Sequence, residues 1–192
     1  MLIVLSGPSG VGKTTIINRL LNHAEVGAAL RFSISATTRA PRPGERDGVN
    51  YHFKTQEQFE ILIEQDAFIE WARVHNGYYG TPRSELETAR EQGRDLLLEI
   101  DVQGAAAVRA KFPDALLIFL KISEQMLRHR LENRPSALSP GDLEKEIALR
   151  MNSAKMELEQ ADRYDYIVEN RELDVTVDRI VSIIKEEKQR RA

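Results

Sequence analysis

The run Gly7-Pro-Ser-Gly-Val-Gly-Lys13-Thr14 constrains this chain more than any other stretch. It fits the Gly-x-x-x-x-Gly-Lys-Ser/Thr pattern of a phosphate-binding loop, and its context is right. An apolar run at 2–6 reads as a buried strand before it, and a helical pattern at 14–22 follows. The residue types suit the chemistry. Glycines at 7, 10 and 12 let the backbone curl so that successive N–H groups of Pro8-Ser9-Gly10-Val11-Gly12 and the helix start at Thr14-Thr15 face inward, wherever an N–H exists. Such a nest at a helix N-terminus attracts anions. Lys13 adds a point charge for the β and γ phosphates, and the Thr14 hydroxyl is the expected Mg²⁺ ligand. A glycine-rich turn with no ligand would read similarly in isolation; the flanking strand and helix favour phosphate. Alone, the loop implies only that the chain binds a nucleoside triphosphate.

Length and composition narrow the setting. With 192 residues and 42% hydrophobic content, the chain can build one domain with a substantial core. Charged residues make up 30% but the net charge is only −3, which argues against a nucleic-acid binder. Cysteine is absent, which excludes disulfides and thiolate metal sites and fits a cytoplasmic setting. His23, His52, His75 and His129 lack metal-ligand spacing and read as structural or surface residues. The apolar start of the chain is too short for a signal peptide or a membrane span.

Strand-like and helix-like patterns alternate. Strands are expected at 2–6, 31–38, 49–54, 67–74, 95–101, 115–122 and 166–168. Helices are expected at 14–22, 56–65, 82–92, 102–111, 126–133, 143–161 and 174–188. Continuous apolar strands between helices predict an α/β fold: three layers of the P-loop NTPase type, with a parallel sheet core. Two stretches break the rhythm. Residues 31–80 hold several strands, many aromatics and arginines and little helix, and read as an inserted mixed α/β subdomain. Residues 135–142 are turn-rich and read as a flap within a helical lid at 126–161. The core then comprises 1–30, 81–125 and 162–192.

The insertion carries the second chemical signal. Arg39 and Arg42 flank a proline-stiffened turn, where two guanidinium forks could clamp one phosphate. Exposed arginines are more often merely solvated, but Tyr51 and Tyr79 lie in the same stretch and can donate to phosphate oxygens or stack on a base.

The phosphate loop, Ser-Ala-Thr-Thr-Arg39-Ala-Pro-Arg42-Pro-Gly-Glu, Phe-Ile-Glu70-Trp-Ala, Tyr-Tyr79-Gly-Thr-Pro-Arg and Leu-Leu-Leu-Glu-Ile-Asp101-Val-Gln-Gly together resemble guanylate kinase. Order and spacing agree from about residue 2 to 104, and more loosely to Asn170. The resemblance implies transfer of a phosphoryl group from MgATP to GMP, and to dGMP, in purine nucleotide metabolism. It implies that the insertion is a GMP-binding subdomain, in which Arg39, Arg42, Tyr51 and Tyr79 hold the GMP phosphate and Ser35, Glu70, Thr81 and Asp101 face guanine. A carboxylate can accept from guanine N1–H and N2–H₂ together, whereas adenine offers an acceptor at N1. Asp101 has a second reading, as a carboxylate that orients Mg²⁺ through water from the end of an apolar strand. The resemblance further implies that Arg130, Arg134 and Arg150 close over the donor phosphates and that Asn170 lies near adenine. Here Arg134 is followed by Pro135, where the family usually has glycine, and the stretch to Arg150 is longer.

Two other functions remain open on these residues. One is an inactive guanylate-kinase-like module that binds phosphopeptides. The other is a kinase for a different small phosphorylated acceptor. Neither a membrane nor a nucleic-acid partner is implied, and the chain could be a monomer or a dimer.

Overall fold

The computed structural model describes residues 1–74, 77–133 and 139–191. Among these, two sheets form. The larger has the order β2-β7-β1-β8-β9 and is parallel throughout: β1 Leu2–Ser6, β2 Leu30–Phe32, β7 Asp95–Glu99, β8 Leu116–Lys121 and β9 Tyr166–Glu169. Its strands are buried on both faces, so they read as continuous apolar runs. The pleat sorts them. Ile3, Leu5, Leu97 and Ile118 face a core completed by α1 Lys13–Leu21, α5 Glu124–Glu132, α6 Pro140–Leu158 and α7 Leu173–Arg191. Leu2, Val4, Leu96, Leu98 and Leu117 face the other side, covered by α3 Arg83–Glu91 and α4 Val102–Lys111. The three expected layers are present.

The second sheet lies within the insertion, with the order β4-β3-β6-β5: β3 Ala36–Thr37, β4 His52–Phe53, β5 Phe68–Val74 and β6 Gly77–Pro82. It is mixed, since β3 and β4 pair parallel while β6 pairs antiparallel with both β3 and β5. Helix α2 Gln56–Glu64 starts in a capping box between Thr55 and Gln58 and buries Phe59 against Phe68 and Tyr78, with ring centroids 4.5 and 5.3 Å apart. These rings give the insertion its own small core.

Four expectations need correction. The strand expected at 49–54 is only the short β4 His52–Phe53, preceded by a turn at 48–50. The strand expected at 31–38 is two strands in different sheets. The Ser33 N–H still bonds Leu97 in the core, and from Ala36 the chain pairs with β4 and β6 instead. Core β2 therefore runs to Phe32, beyond the expected start of the insertion. Buried Glu85 on α3 ties this crossing down by accepting from the Ile34 N–H and the Arg31 guanidinium, both at 3.3 Å. The segment 77–82, not expected as a strand, is β6. Its glycines weaken the local signal, and its pairing to β3 and β5 supplies what propensity does not. Finally, 140–142 is helical. Pro140 occupies the first turn of α6, where its missing N–H costs nothing, and Ser139 caps it by accepting from the Asp142 N–H. Arg134 and the rest of 134–138 lie outside the described residues, as does His75.

Candidate active site

The phosphate loop lies between β1 and α1, and Gly7, Gly10 and Gly12 all have positive φ. Gly7 is the most constrained. At φ 140° a Cβ would lie 2.3 Å from the Leu120 carbonyl oxygen on neighbouring β8. Lys13 Nζ donates to the carbonyls of Gly7 at 2.5 Å and Pro8 at 3.2 Å. Burial pushes its pKa down, while the charges of Glu99, Glu157 and Asp101 pull it back up.

The loop is braced from behind. The Val11 carbonyl accepts from Asn170 Nδ2 at 2.6 Å and from Arg130 Nη1 at 2.8 Å. Asn170 is 3% exposed, and its Oδ1 accepts from the Thr176 hydroxyl at 3.1 Å. The amide nitrogen is thus committed to the loop, while the Thr176 hydroxyl lies nearer the Glu172 carbonyl, at 2.8 Å, than Asn170 Oδ1. Arg130 is half-buried against the loop. Arg150, from α6, pairs with Glu146 one turn away and reaches Ser9 Oγ at 3.5 Å. The structure therefore brings Arg130, Arg150 and Asn170 to the loop from three separate elements.

Within the insertion, Arg39 is gripped by both carboxylate oxygens of Glu45, at 2.9 and 3.0 Å. Its guanidinium lies over the ring of Tyr51, 5.4 Å from the centroid, and Tyr51 meets Tyr79 edge-on at 6.1 Å. Arg39, Tyr51 and Tyr79 are one cluster. The Arg42 side chain is exposed on the same turn, and its backbone N–H donates to Glu45 at 2.7 Å. These contacts hold the Glu45 carboxyl below its ordinary pKa, the Arg42 N–H being the largest contribution. Glu45 belongs to the arginine turn by position but was not among the expected site residues.

Glu70 is 4% exposed and Thr81 is fully buried. The Thr81 hydroxyl donates to Glu70 Oε1 at 2.6 Å. The two face each other because β5 bulges between Phe68 and Glu70: Phe68 pairs with Pro82 and Glu70 with Thr81, leaving Ile69 over. Bulges re-aim side chains in this way. Burial pushes the Glu70 carboxyl up to about 6, and the Asp101 charge adds to that, while the Thr81 hydrogen bonds oppose it. Asp101 itself is the N-cap of α4, accepting from the Gly104 N–H at 2.9 Å. Ser35 is half-buried just before β3; its carbonyl accepts from the His52 N–H at 2.9 Å.

One residue that sequence reasoning missed is Glu99. Parallel pairing sets it beside Leu5, just before the loop. Burial raises its pKa, opposed by the Lys13 charge and a hydrogen bond from Thr14. The signal was available, because Glu99 is the charged end of the apolar strand beside β1. The Thr14 hydroxyl and Glu99 carboxylate are hard oxygen donors of the kind that Mg²⁺ takes, directly or through water. Among the described residues no group of three or more His, Asp or Glu converges on one point.

Known proteins resemble this chain over nearly its whole length. The family model described as Guanylate kinase matches residues 1–187. A guanylate kinase from Halalkalibacterium halodurans is 47% identical over 188 residues, covering 97% of this chain and 88% of that one. One from Rickettsia bellii is 43% identical over 192 residues, covering 100% and 96%. A crystal structure of guanylate kinase from Anaplasma phagocytophilum superposes with a TM-score of 0.77 at 32% identity, covering 97% and 85%.

Proposed function

The chain belongs to the guanylate kinase family, and on that premise we propose how its residues divide the work of an ATP:GMP phosphotransferase. The phosphate loop holds the ATP phosphates on inward N–H groups, and Lys13 neutralises charge on the β and γ groups. Arg39, Arg42, Tyr51 and Tyr79 hold the GMP phosphate, replacing the grip of Glu45 on Arg39. Glu70 accepts from guanine N1–H and N2–H₂, and Ser35 and Thr81 supply hydroxyls around the base. Asp101 serves this wall by capping α4. Arg130 and Arg150 bring positive charge to the transferring phosphoryl, with Arg134 assigned the same task by resemblance. The Asn170 side chain braces the loop on which the donor sits.

No general base is required. The second pKa of a phosphate monoester is about 6, so the attacking GMP oxygen is already ionised near neutrality. Rate enhancement comes from holding donor and acceptor in line and from fixed positive charge. Mg²⁺, when bound with ATP, supplies further neutralisation of the phosphates. The residues to hold it are Thr14 and, through water, Glu99 or Asp101. The units of this reading are a core, a GMP-binding insertion that starts after β2 at Phe32 and ends with β6 at Pro82 rather than spanning 31–80, and a lid at 126–161. dGMP should also be accepted, since none of the assigned contacts uses the 2′-hydroxyl. No described helix is long and apolar enough to cross a membrane. A cytoplasmic location fits both substrates.

The observation that carries this reading is the buried Glu70–Thr81 pair in a chain whose phosphate loop is intact. The intact loop and the kinase relatives favour catalysis over a phosphopeptide-binding module. ADP release from MgATP, measured with GMP, dGMP, AMP, CMP and UMP in turn, tests it. Turnover with GMP and dGMP, and its loss in Lys13→Ala, is expected. Equal turnover with AMP, or none with any acceptor from folded protein that binds ATP, would overturn it.

A further inference from the structure

The Glu70 carboxylate is seated against a residue that has no side chain. Gly104 lies in the first turn of α4, with its N–H bonded to the cap Asp101. A Cβ placed on it would lie 2.8 Å from Glu70 Oε2, 3.3 Å from Glu70 Cδ and 3.2 Å from Ile100 Cβ. Glu70 therefore packs directly on the helix backbone. Its freedom to yield is small. Oε1 is held by Thr81 at 2.6 Å. The preceding Ile69 is fully buried in the core with Ala105 and Val108 of the same helix. The carboxylate is pinned by the bulge below, by Thr81 on one oxygen and by α4 against the other.

We propose that Gly104 is a specificity-determining position for GMP: the missing Cβ sets the depth at which Glu70 meets the guanine edge. This rests on the reading of Glu70 given above. Any larger residue at 104 must drive the carboxylate forward by about half an ångström, enough to spoil two hydrogen bonds to a planar base. Gly104 has an ordinary negative φ, so alanine fits the backbone without strain. Alanine is also the better helix former. A purely local helical role therefore predicts that Gly104→Ala is at least as stable and fully active.

The test compares Gly104→Ala, Glu70→Asp, the double variant and Glu70→Ala. Each is measured for KM and kcat with GMP, KM for ATP, and melting temperature. Gly104→Ala should raise KM for GMP about tenfold or more, with KM for ATP within about twofold, and pushing the pinned carboxylate aside should lower the melting temperature only slightly. Aspartate is one methylene shorter and makes room, so the double variant should lose less than the product of the single losses. Wild-type KM for GMP in Gly104→Ala, or losses that simply multiply, would overturn the proposal. So would a fall in melting temperature with both KM values raised alike, which marks a structural role. If Glu70→Ala is impaired and Gly104→Ala is not, this inference alone fails. If Glu70→Ala uses GMP normally, the reading of Glu70 itself fails.

Discussion

Replacing Glu70 by glutamine should make the protein more stable and the enzyme worse. Glu70 is 4% exposed, and burial pushes its carboxyl up to about 6 from an ordinary 4.5. The sign follows from linkage. A folded value above the unfolded one means that the favourable contribution is fully present below 4.5 and is lost as pH rises through 6. Above that range the wild type carries an ionised carboxylate that it must keep out of water, at a cost of about 2 kcal/mol. Glutamine has nearly the same shape and can still accept from Thr81, yet it never ionises. Urea denaturation of both proteins across pH is the assay. The gain of Glu70→Gln over wild type should widen by about 1 kcal/mol between about pH 5 and about pH 7.5. Near pH 7.5 a gain approaching 2 kcal/mol corresponds to about 4–8 °C in melting temperature. Any cost of fitting the amide is the same at every pH, so the widening is the diagnostic quantity. A gap that stays flat, or narrows as pH rises, would refute the reasoning.

Two other substitutions probe the loop. Gly7→Ala would set a Cβ 2.3 Å from the Leu120 carbonyl oxygen at a φ that alanine rarely adopts. It should cost about 3 kcal/mol or more and abolish ATP binding, read by thermal melting and by titration with a fluorescent ATP analogue. Asn170→Ala removes the 2.6 Å bond to the Val11 carbonyl. It should cost about 1–3 kcal/mol in stability and raise KM for ATP more than KM for GMP in a coupled ADP assay.

How legible the protein was depended on the range of the interactions involved. The phosphate loop could be read because glycine spacing, strand and helix are contiguous. The core strands could be read because a parallel sheet buried on both faces leaves unbroken apolar runs such as Leu96-Leu97-Leu98. The break between β2 and β3 could not, because it depends on partners far along the chain, Leu97 for one side and Tyr78–Gly80 for the other. The start of α6 was hidden because Ser-Pro-Gly-Asp suits a turn as well as a capped helix. Glu70 on its own looks like a surface carboxylate. Its burial is made by a bulge, a hydroxyl eleven residues on and a glycine on another element. Resemblance singles out Glu70, and the fold supplies the physical reason. Glu45 and Glu99 carry no local signal of their contacts because each gains its role from a neighbour in space: Arg39 for one, Thr14 and Lys13 for the other.

The central claim is that one buried carboxylate selects the acceptor base. GMP and AMP share phosphate and ribose and differ only in that base, so the ratio of their kcat/KM values isolates it. The measurement is this ratio for wild type and Glu70→Gln near pH 7.5, from ADP formation at saturating MgATP. The account predicts a wild-type preference for GMP of about a hundredfold or more. In Glu70→Gln it predicts a fall of about tenfold to a hundredfold in kcat/KM for GMP, with AMP little changed. A Glu70→Gln enzyme that keeps the wild-type preference would contradict it.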